Sequence, residues 1–243
     1  AARLRGDLGA DGIKVEACGY PDWWRGVDSR PIMIEQRLYE KSGYFNVMNR
    51  NKRGITLDLT DPEGVAMARE LVAGADMVVE NYSASVMPKL GLDYETLRGL
   101  RPDLIMISMP AFPPDGPLSE VRAYGSTLEQ AAGLPSVAGQ AGQSPQGSHI
   151  AYGDPVGGIS AAAALMLALL HRNRTGQGQK IDLSQVECSL AMVAPWITEQ
   201  SATGKVVART GKGHPAYAPC GSFACLGDDA WITLTVETAG QWQ

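Results

Sequence analysis

Short apolar runs and longer amphipathic stretches take turns along this chain, and their order predicts a layered α/β protein. Residues 4–8 read as the end of a helix that passes through Gly9-Ala10 into a strand at residues 12–16, half of a βαβ unit. Residues 55–59 alternate like a strand. Thr60-Asp61-Pro62-Glu63 is a capping-box sequence with proline in the first turn, so a helix is expected to start there. Val65, Ala68, Leu71 and Val72 give that helix an apolar face, and Gly74 ends it. Residues 77–80 read as a buried strand with Asn81-Tyr82 just past its carboxyl end, residues 94–100 as a helix and 104–109 as another strand.

In the second half, residues 126–133 form a short predicted helix, followed by a Gly/Gln/Ser/Pro-rich connection over 134–147. Gly153-Asp154-Pro155 opens an alanine-rich helix to about Arg172, and Thr175-Gly176-Gln177-Gly178 turns the chain into a strand at 180–184. Residues 185–203 predict a long helix interrupted at Pro195, and residues 231–236 a strand after a Gly/Pro-rich loop. Residues 20–42 carry Trp23, Trp24 and Arg30-Pro31 without a clear period and read as a loop or lid. The pattern implies a Rossmann-like parallel sheet with helices on both faces, where ligands gather at the carboxyl ends of strands. A boundary near 204–215 divides a large domain over residues 1–203 from a linker and the beginning of a smaller second domain over 204–243.

Composition narrows the function classes. The 243 residues suffice for a full core, and 44% hydrophobic with 19% charged residues is ordinary for a globular protein. A net charge of −5 argues against a general nucleic-acid binder while leaving room for a small basic pocket around one phosphorylated molecule. Cys18, Cys188, Cys220 and Cys225, with His149, His171 and His214, complete no metal spacing, so no metal is expected and a reduced, cytoplasmic protein is. The apolar run 161–170 is shorter than a membrane span and reads as a buried helix, so no membrane partner is expected. Gly176-Gln177-Gly178 and Gly211-Lys212-Gly213 match neither the dinucleotide fingerprint nor the P-loop, and no G-x-S-x-G is present.

Two places carry candidate chemistry. Asp154, followed by Pro155, reads either as a helix N-cap with proline at N1 or as a nucleophile. In the second reading the positive end of the helix dipole keeps the carboxylate ionised, and glycines at 153, 157 and 158 leave room for a bulky substrate. Spacing alone leaves both readings open. Asn49-Arg50-Asn51-Lys52-Arg53 is the densest basic cluster, and reads either as a solvated turn before a strand or as a phosphate contact.

Several segments, taken in order, resemble family III CoA-transferases, the group that includes formyl-CoA and carnitine CoA-transferases and a related acyl-CoA racemase. They are residues 8–16 (LGADGIKVE), 49–59 (NRNKRGITLDL), Val79-Glu80-Asn81-Tyr82, Lys89-Leu90-Gly91-Leu92, Gly153-Asp154 and 174–179 (RTGQGQ) with the Ile-Asp-Leu-Ser that follows. The resemblance implies two domains and an interlocked homodimer, with this sequence as a piece of the whole. It implies no tightly bound cofactor, with coenzyme A or acyl-CoA as substrate and a small carboxylic acid as partner. Asp154 matches the family's catalytic aspartate. Leu57, Asp58, Leu59 and Thr60, and Asn81, Tyr82 and Ser83, match positions that line the CoA site. Lys89 stands where the formyl-CoA enzyme has arginine, Arg122, Ala123 and Tyr124 match a segment beside the CoA, and Ala17 replaces an arginine. The loop with Gly211 and Gly213 resembles the family's substrate-covering loop.

The implied chemistry is attack by Asp154 on an acyl-CoA thioester, through an aspartyl anhydride and an aspartyl-CoA thioester, with backbone N–H groups around 153–158 as oxyanion donors. Two alternatives stand beside it. A racemase of the same family needs a second acid/base near residues 122–124, where Ala123 stands instead of histidine. A non-catalytic CoA-binding domain would bind CoA without forming a covalent adduct. Trp23, Trp24, Tyr39, Tyr44 and residues 149–152 are expected either to shape an acyl pocket or to pack locally.

Overall fold

A computed structural model of the protein describes residues 1–26, 28 and 30–243; the parts of the predicted 20–42 loop that fall on Val27 and Ser29 lie outside the described residues. The described residues group into two compact units, one formed by Ala1–Arg122 with Asp154–Cys188 and the other by Ala123–Gly153 with Ser189–Gln243. This spatial grouping cuts the chain at other points than the sequence division at 203/204, which stays a proposal about independently folding domains.

The first unit is α/β. Strands β1 (Gly12–Glu16) and β2 (Lys52–Thr56) pair in parallel, and β3 (Met77–Glu80), β4 (Ile105–Ser108) and β5 (Gln179–Asp182) form a three-stranded parallel sheet in the order β3-β4-β5. The parallel architecture is as expected, but it is divided between two sheets. Strand β4 shows why helices lie on both faces. Successive side chains of a strand point to opposite sides, and here Leu104 and Met106 join Leu57, Ala68, Met87, Leu92 and Leu97 on one side, while Ile105, Ile107 and Met109 join Ala161, Leu165 and Ala168 on the other. All four residues from Leu104 to Ile107 are at most 1% exposed, which is why this strand is an unbroken apolar run.

The helix Gly153–Thr175 supplies the second of those faces; it starts where expected and runs three residues past the predicted end at Arg172. At 23 residues it is long and apolar enough to cross a membrane by length and composition. In this fold Ala161, Leu165 and Ala168 are core residues, while Ile159, Met166 and Leu167 are exposed.

Polar contacts fix the amino edge of the three-stranded sheet. Asp76 and Asp103 precede β3 and β4, and both receive Arg101 and Arg172, with N–O distances from 2.9 to 3.6 Å. At the carboxyl edge the strands run on into irregular backbone, with Leu183 N–H donating to Ser108 O and the Gln185 side-chain amide to Met109 O at 2.7 Å.

Local differences from the sequence reading have simple causes. Strand β2 begins at Lys52 rather than Ile55, because pairing with β1 (Gly12 opposite Lys52) sets its extent where alternation is silent. The helix Pro62–Ala73 is capped by Asp61, whose carboxylate accepts from Glu63 N–H at 2.8 Å; Thr60 instead donates to Asp58. Residues 20–42 contain short helices, Trp23–Arg25, Pro31–Glu35 and Leu38–Glu40, held by polar pairs. Arg25 makes a two-pronged bond to Glu16 at 2.9 Å and lies 3.7 Å from the centroid of the Phe45 ring. Trp24 and Tyr44 pack on each other at 5.1 Å.

The second unit contains the helices Gly125–Ala131 and Leu134–Val137 and an antiparallel pair, β6 (Cys220–Ala224) with β7 (Trp231–Thr235). Strand β6 lies in the stretch read as loop, since its composition (Cys-Gly-Ser-Phe-Ala) carries little alternation. The helix Gln185–Thr203 contains Pro195 without interruption.

Candidate active site

Asp154 lies in the first turn of the helix Gly153–Thr175, as the second helical residue with Pro155 third, rather than at the N-cap. The direction of that helix places it. Arg172, near the helix end, is tied to Asp76 and Asp103 at the amino edge of the sheet. Eighteen residues earlier in the chain the axis has advanced about 27 Å, so the first turn lies toward the carboxyl edge. Gly157 confirms the direction: a Cβ there would come within 3.0 Å of Gln185, the residue bonded to Met109 O just beyond β4. Asp154 is thus an exposed carboxylate in the first turn of a long helix, at the carboxyl edge of parallel strands, where ligands of such sheets gather.

A second feature of the same unit is an open cavity of about 470 Å³ lined by Leu59, Thr60, Pro62, Val65, Ala66, Arg69, Lys89 and Leu90. It brings together Leu59 and Thr60, past the end of β2, with Lys89 from the helix Val86–Lys89. Lys89 donates to Ser85 Oγ at 3.0 Å, and Ser85 donates to Glu120. Arg69 donates to Gly91 O at 2.8 Å and its Nε is buried with no hydrogen-bond partner. Two cations beside an apolar wall can hold a phosphorylated group with an aromatic ring.

The remaining expected positions are divided between the two units. The Leu57 side chain is in the apolar core. The Asp58 carboxylate accepts from Thr60, and its backbone carbonyl passes so close to Gly64 that a Cβ there would lie 1.9 Å away. Asn81 and Tyr82 are exposed past β3, and Ser83 is half-buried. Tyr82 lines a separate small cavity with Glu80, Ser108 and Asp182, the residues at the carboxyl ends of β3, β4 and β5. Burial pushes the Glu80 carboxyl above the usual range, and hydrogen bonds from Ser108 and Tyr82 N–H only partly offset this. Burial, with Glu80 beside it, also raises the Tyr82 phenol.

Arg122 is exposed at the end of a segment of the first unit. In the second unit Ala123 is half-buried and Tyr124 is exposed just before the helix Gly125–Ala131. Gly211 there has φ +61°, in the left-handed region that favours glycine, and a Cβ on it would displace the end of the Gln140 side chain; Gly213 is exposed. The basic cluster is engaged in local pairs. Arg50 holds Asp7, Arg53 holds Asp11, and Lys52 donates to Met48 O and Asn49, which supports a structural role.

Two residues escaped the sequence reading, Arg69 in the cavity and Glu129 in the second unit. Glu129 is 2% exposed and lies in the same helical stripe as Leu128 and Ala132. An acid in an apolar stripe is the signal that could have found it. Among the described residues no group of three or more His, Cys, Asp or Glu could hold a metal ion.

The chain belongs to CoA-transferase family III, whose family model matches residues 1–243. It is similar to the succinate–glutarate CoA-transferase of Agrobacterium fabrum, with 34% identity over 248 residues, covering 100% of this chain and 60% of that protein. The succinyl-CoA–D-citramalate CoA-transferase of Chloroflexus aurantiacus is 34% identical over 236 residues, covering 96% and 56%. Among solved structures, a CAIB/BAIF family protein from Brucella suis matches with a TM-score of 0.85 at 32% identity, covering 99% of this chain and 62% of that one. The chain thus spans 56–62% of the length of these relatives.

Proposed function

We propose that this chain is the catalytic part of an enzyme that moves CoA from an acyl-CoA to a free carboxylic acid, with Asp154 as the nucleophile. The observation that carries the reading is the place of Asp154, exposed in the first turn of a long helix at the carboxyl edge of parallel strands. Family membership and the names of the relatives support the same chemistry.

In this reading an Asp154 oxygen attacks the thioester carbonyl, the C–S bond breaks, and CoA leaves as thiolate from a mixed anhydride. The thiolate then attacks the aspartyl carbonyl and expels the donor acid as carboxylate, leaving CoA on Asp154 as a thioester. The acceptor carboxylate attacks that thioester, giving a new anhydride and thiolate again. Attack of the thiolate on the acceptor's carbonyl releases the new acyl-CoA and restores the Asp154 carboxylate. The division into four acyl transfers replaces one direct exchange with easier steps. Backbone N–H groups of the first helical turn are suited to the oxyanions.

The cavity with Lys89 and Arg69 is our proposed seat for the nucleotide end of CoA, with Leu59, Pro62 and Val65 against the ring. Asn81, Tyr82 and Ser83, with Arg122, Ala123 and Tyr124, are proposed to line the rest of the CoA path, and the Gly211–Gly213 loop to cover substrate. The relatives' names join succinate or succinyl-CoA with a second short dicarboxylic acid, so succinyl-CoA is our proposed donor. A homodimer, a cytoplasmic location, and the absence of a tightly bound cofactor and of nucleic-acid or membrane partners complete the proposal.

The test is CoA exchange between succinyl-CoA and a panel of short dicarboxylates. Asp154→Ala should lower the rate at least about 1,000-fold while CoA affinity stays, since a covalent nucleophile has no substitute. Retention of a tenth of the activity would remove Asp154 from the mechanism.

A further inference from the structure

The helix Gly125–Ala131 and the strand of chain that returns past it, residues 148–153, form an unusual contact in the second unit. Glu129 is buried to 2% exposure. Its Oε1 accepts from Ser148 Oγ at 2.7 Å and from Tyr152 N–H at 2.5 Å, and its Oε2 accepts from Ser148 N–H at 3.1 Å. One carboxylate thus holds both ends of a five-residue stretch. Inside that stretch His149 and Ala151 have φ of 60° and 51°, the left-handed region that side chains other than glycine seldom adopt.

Two glycines close the contact. A Cβ on Gly125 would come within 2.3 Å of Ala151 O, and one on Gly153 within 2.6 Å of Leu128 Cβ and 2.7 Å of Gly125 O. Backbone held in sparsely populated conformations persists where its surroundings over-determine it, and such places cluster at functional sites. Residue 154 follows Gly153 by one peptide bond.

We infer that Glu129 is a positioning residue for Asp154: by gripping Ser148 and Tyr152 it fixes the backbone from which the nucleophile emerges. The inference rests on the reading of Asp154 given above. The carboxylate suits this task better than an amide, because all three of its partners here are donors and it presents acceptors on both oxygens. Burial by itself would raise its pKa, but the bonds from Ser148 and Tyr152, with the charge of His149, outweigh it and keep the carboxyl below its usual range. Glu129→Gln would turn an NH2 toward one of those donors, leaving the size of the side chain unchanged.

The experiment is done on the full chain with succinyl-CoA, following the rate at which a hydroxylamine-labile CoA adduct forms, beside CoA affinity by calorimetry and folding by circular dichroism. For Glu129→Gln we expect loading about 10- to 100-fold slower, the scale of a displacement of roughly 1 Å at a reacting group, with CoA affinity within about 2-fold. Glu129→Asp should recover part of the rate. Ser148→Ala, at an exposed position, should slow loading about 3- to 10-fold and carries the test if Glu129→Gln does not fold. Loading at the parental rate in the folded variants would overturn the positioning role while leaving Asp154 as nucleophile. Failure of the parent protein to load from any acyl-CoA would overturn the reading of Asp154, and the positioning role with it.

Discussion

Glu80 and Glu129 are both glutamates drawn out of water, one at the end of β3 in the first unit and the other in the Gly125–Ala131 helix of the second, and their carboxyls shift in opposite directions. Glu129 is the more deeply buried of the two in side-chain exposure, yet it is held below the usual carboxylate range. Glu80 is only half-buried and is pushed above it. The difference lies in the balance of two opposing effects: desolvation prevails at Glu80, whereas at Glu129 the hydrogen bonds and His149 together outweigh it. Glu129 receives three hydrogen bonds at 2.5 to 3.1 Å from Ser148 and Tyr152. Glu80 receives Tyr82 N–H at 2.8 Å and Ser108, and it has the Asp182 carboxylate nearby to set against Lys180. A buried carboxylate is therefore an anchor or a liability according to how many donors face it, and burial alone does not say which.

The largest effect expected from a substitution sets the scale for that comparison. Leu165→Ala removes a fully buried side chain between the helix Gly153–Thr175 and β4 and should lower unfolding stability by about 2–5 kcal/mol in denaturant titration. Glu129→Ala should cost about 1–3 kcal/mol, from donors left without their acceptor. A cost near zero would mean that water replaces the carboxylate, and that the contact is no anchor.

The pH dependence sharpens the contrast. Because the folded pKa of Glu129 is depressed, its contribution is present above the unfolded value of about 4.3 and is lost as pH falls through the folded value. Stability of the parent should therefore fall in acid more steeply than that of Glu129→Gln. Glu80 has the opposite sign. Its raised folded pKa gives a contribution present below about 4.3 and lost as pH rises through the folded value. Glu80→Gln should gain stability relative to the parent as pH rises above about 4.3, by the smallest amount of the set. Parallel pH curves for Glu80→Gln and the parent would contradict the shift.

The sequence made the apolar architecture legible and the polar anchoring much less so. Strands β1 and β3 lie where alternation and apolar runs predict, and the helix faces at Ala68, Leu97 and Leu165 follow the helical period. Strand β2 lies three residues earlier than alternation predicts, and the cap falls on Asp61, one residue after the Thr60 of the capping-box sequence, because pairing and side-chain competition choose the boundary there. The short helices of residues 20–42 depend on Arg25, Glu16 and Phe45, partners far apart in the sequence that leave no periodic signal. Site residues show the same division. Leu59, Thr60 and Lys89 line one cavity, and Arg69 joins them from a helix read only for its apolar face. For Glu129 the acid in an apolar stripe is legible in the sequence, but the donors that the returning chain brings to it are not.

Mass spectrometry of the peptide containing Asp154, after incubation of the protein with succinyl-CoA, tests the central claim most directly. The account predicts a CoA-sized adduct on Asp154, released by hydroxylamine and missing from Asp154→Ala. A folded protein that binds CoA but carries no adduct, or carries it on another residue, would contradict it.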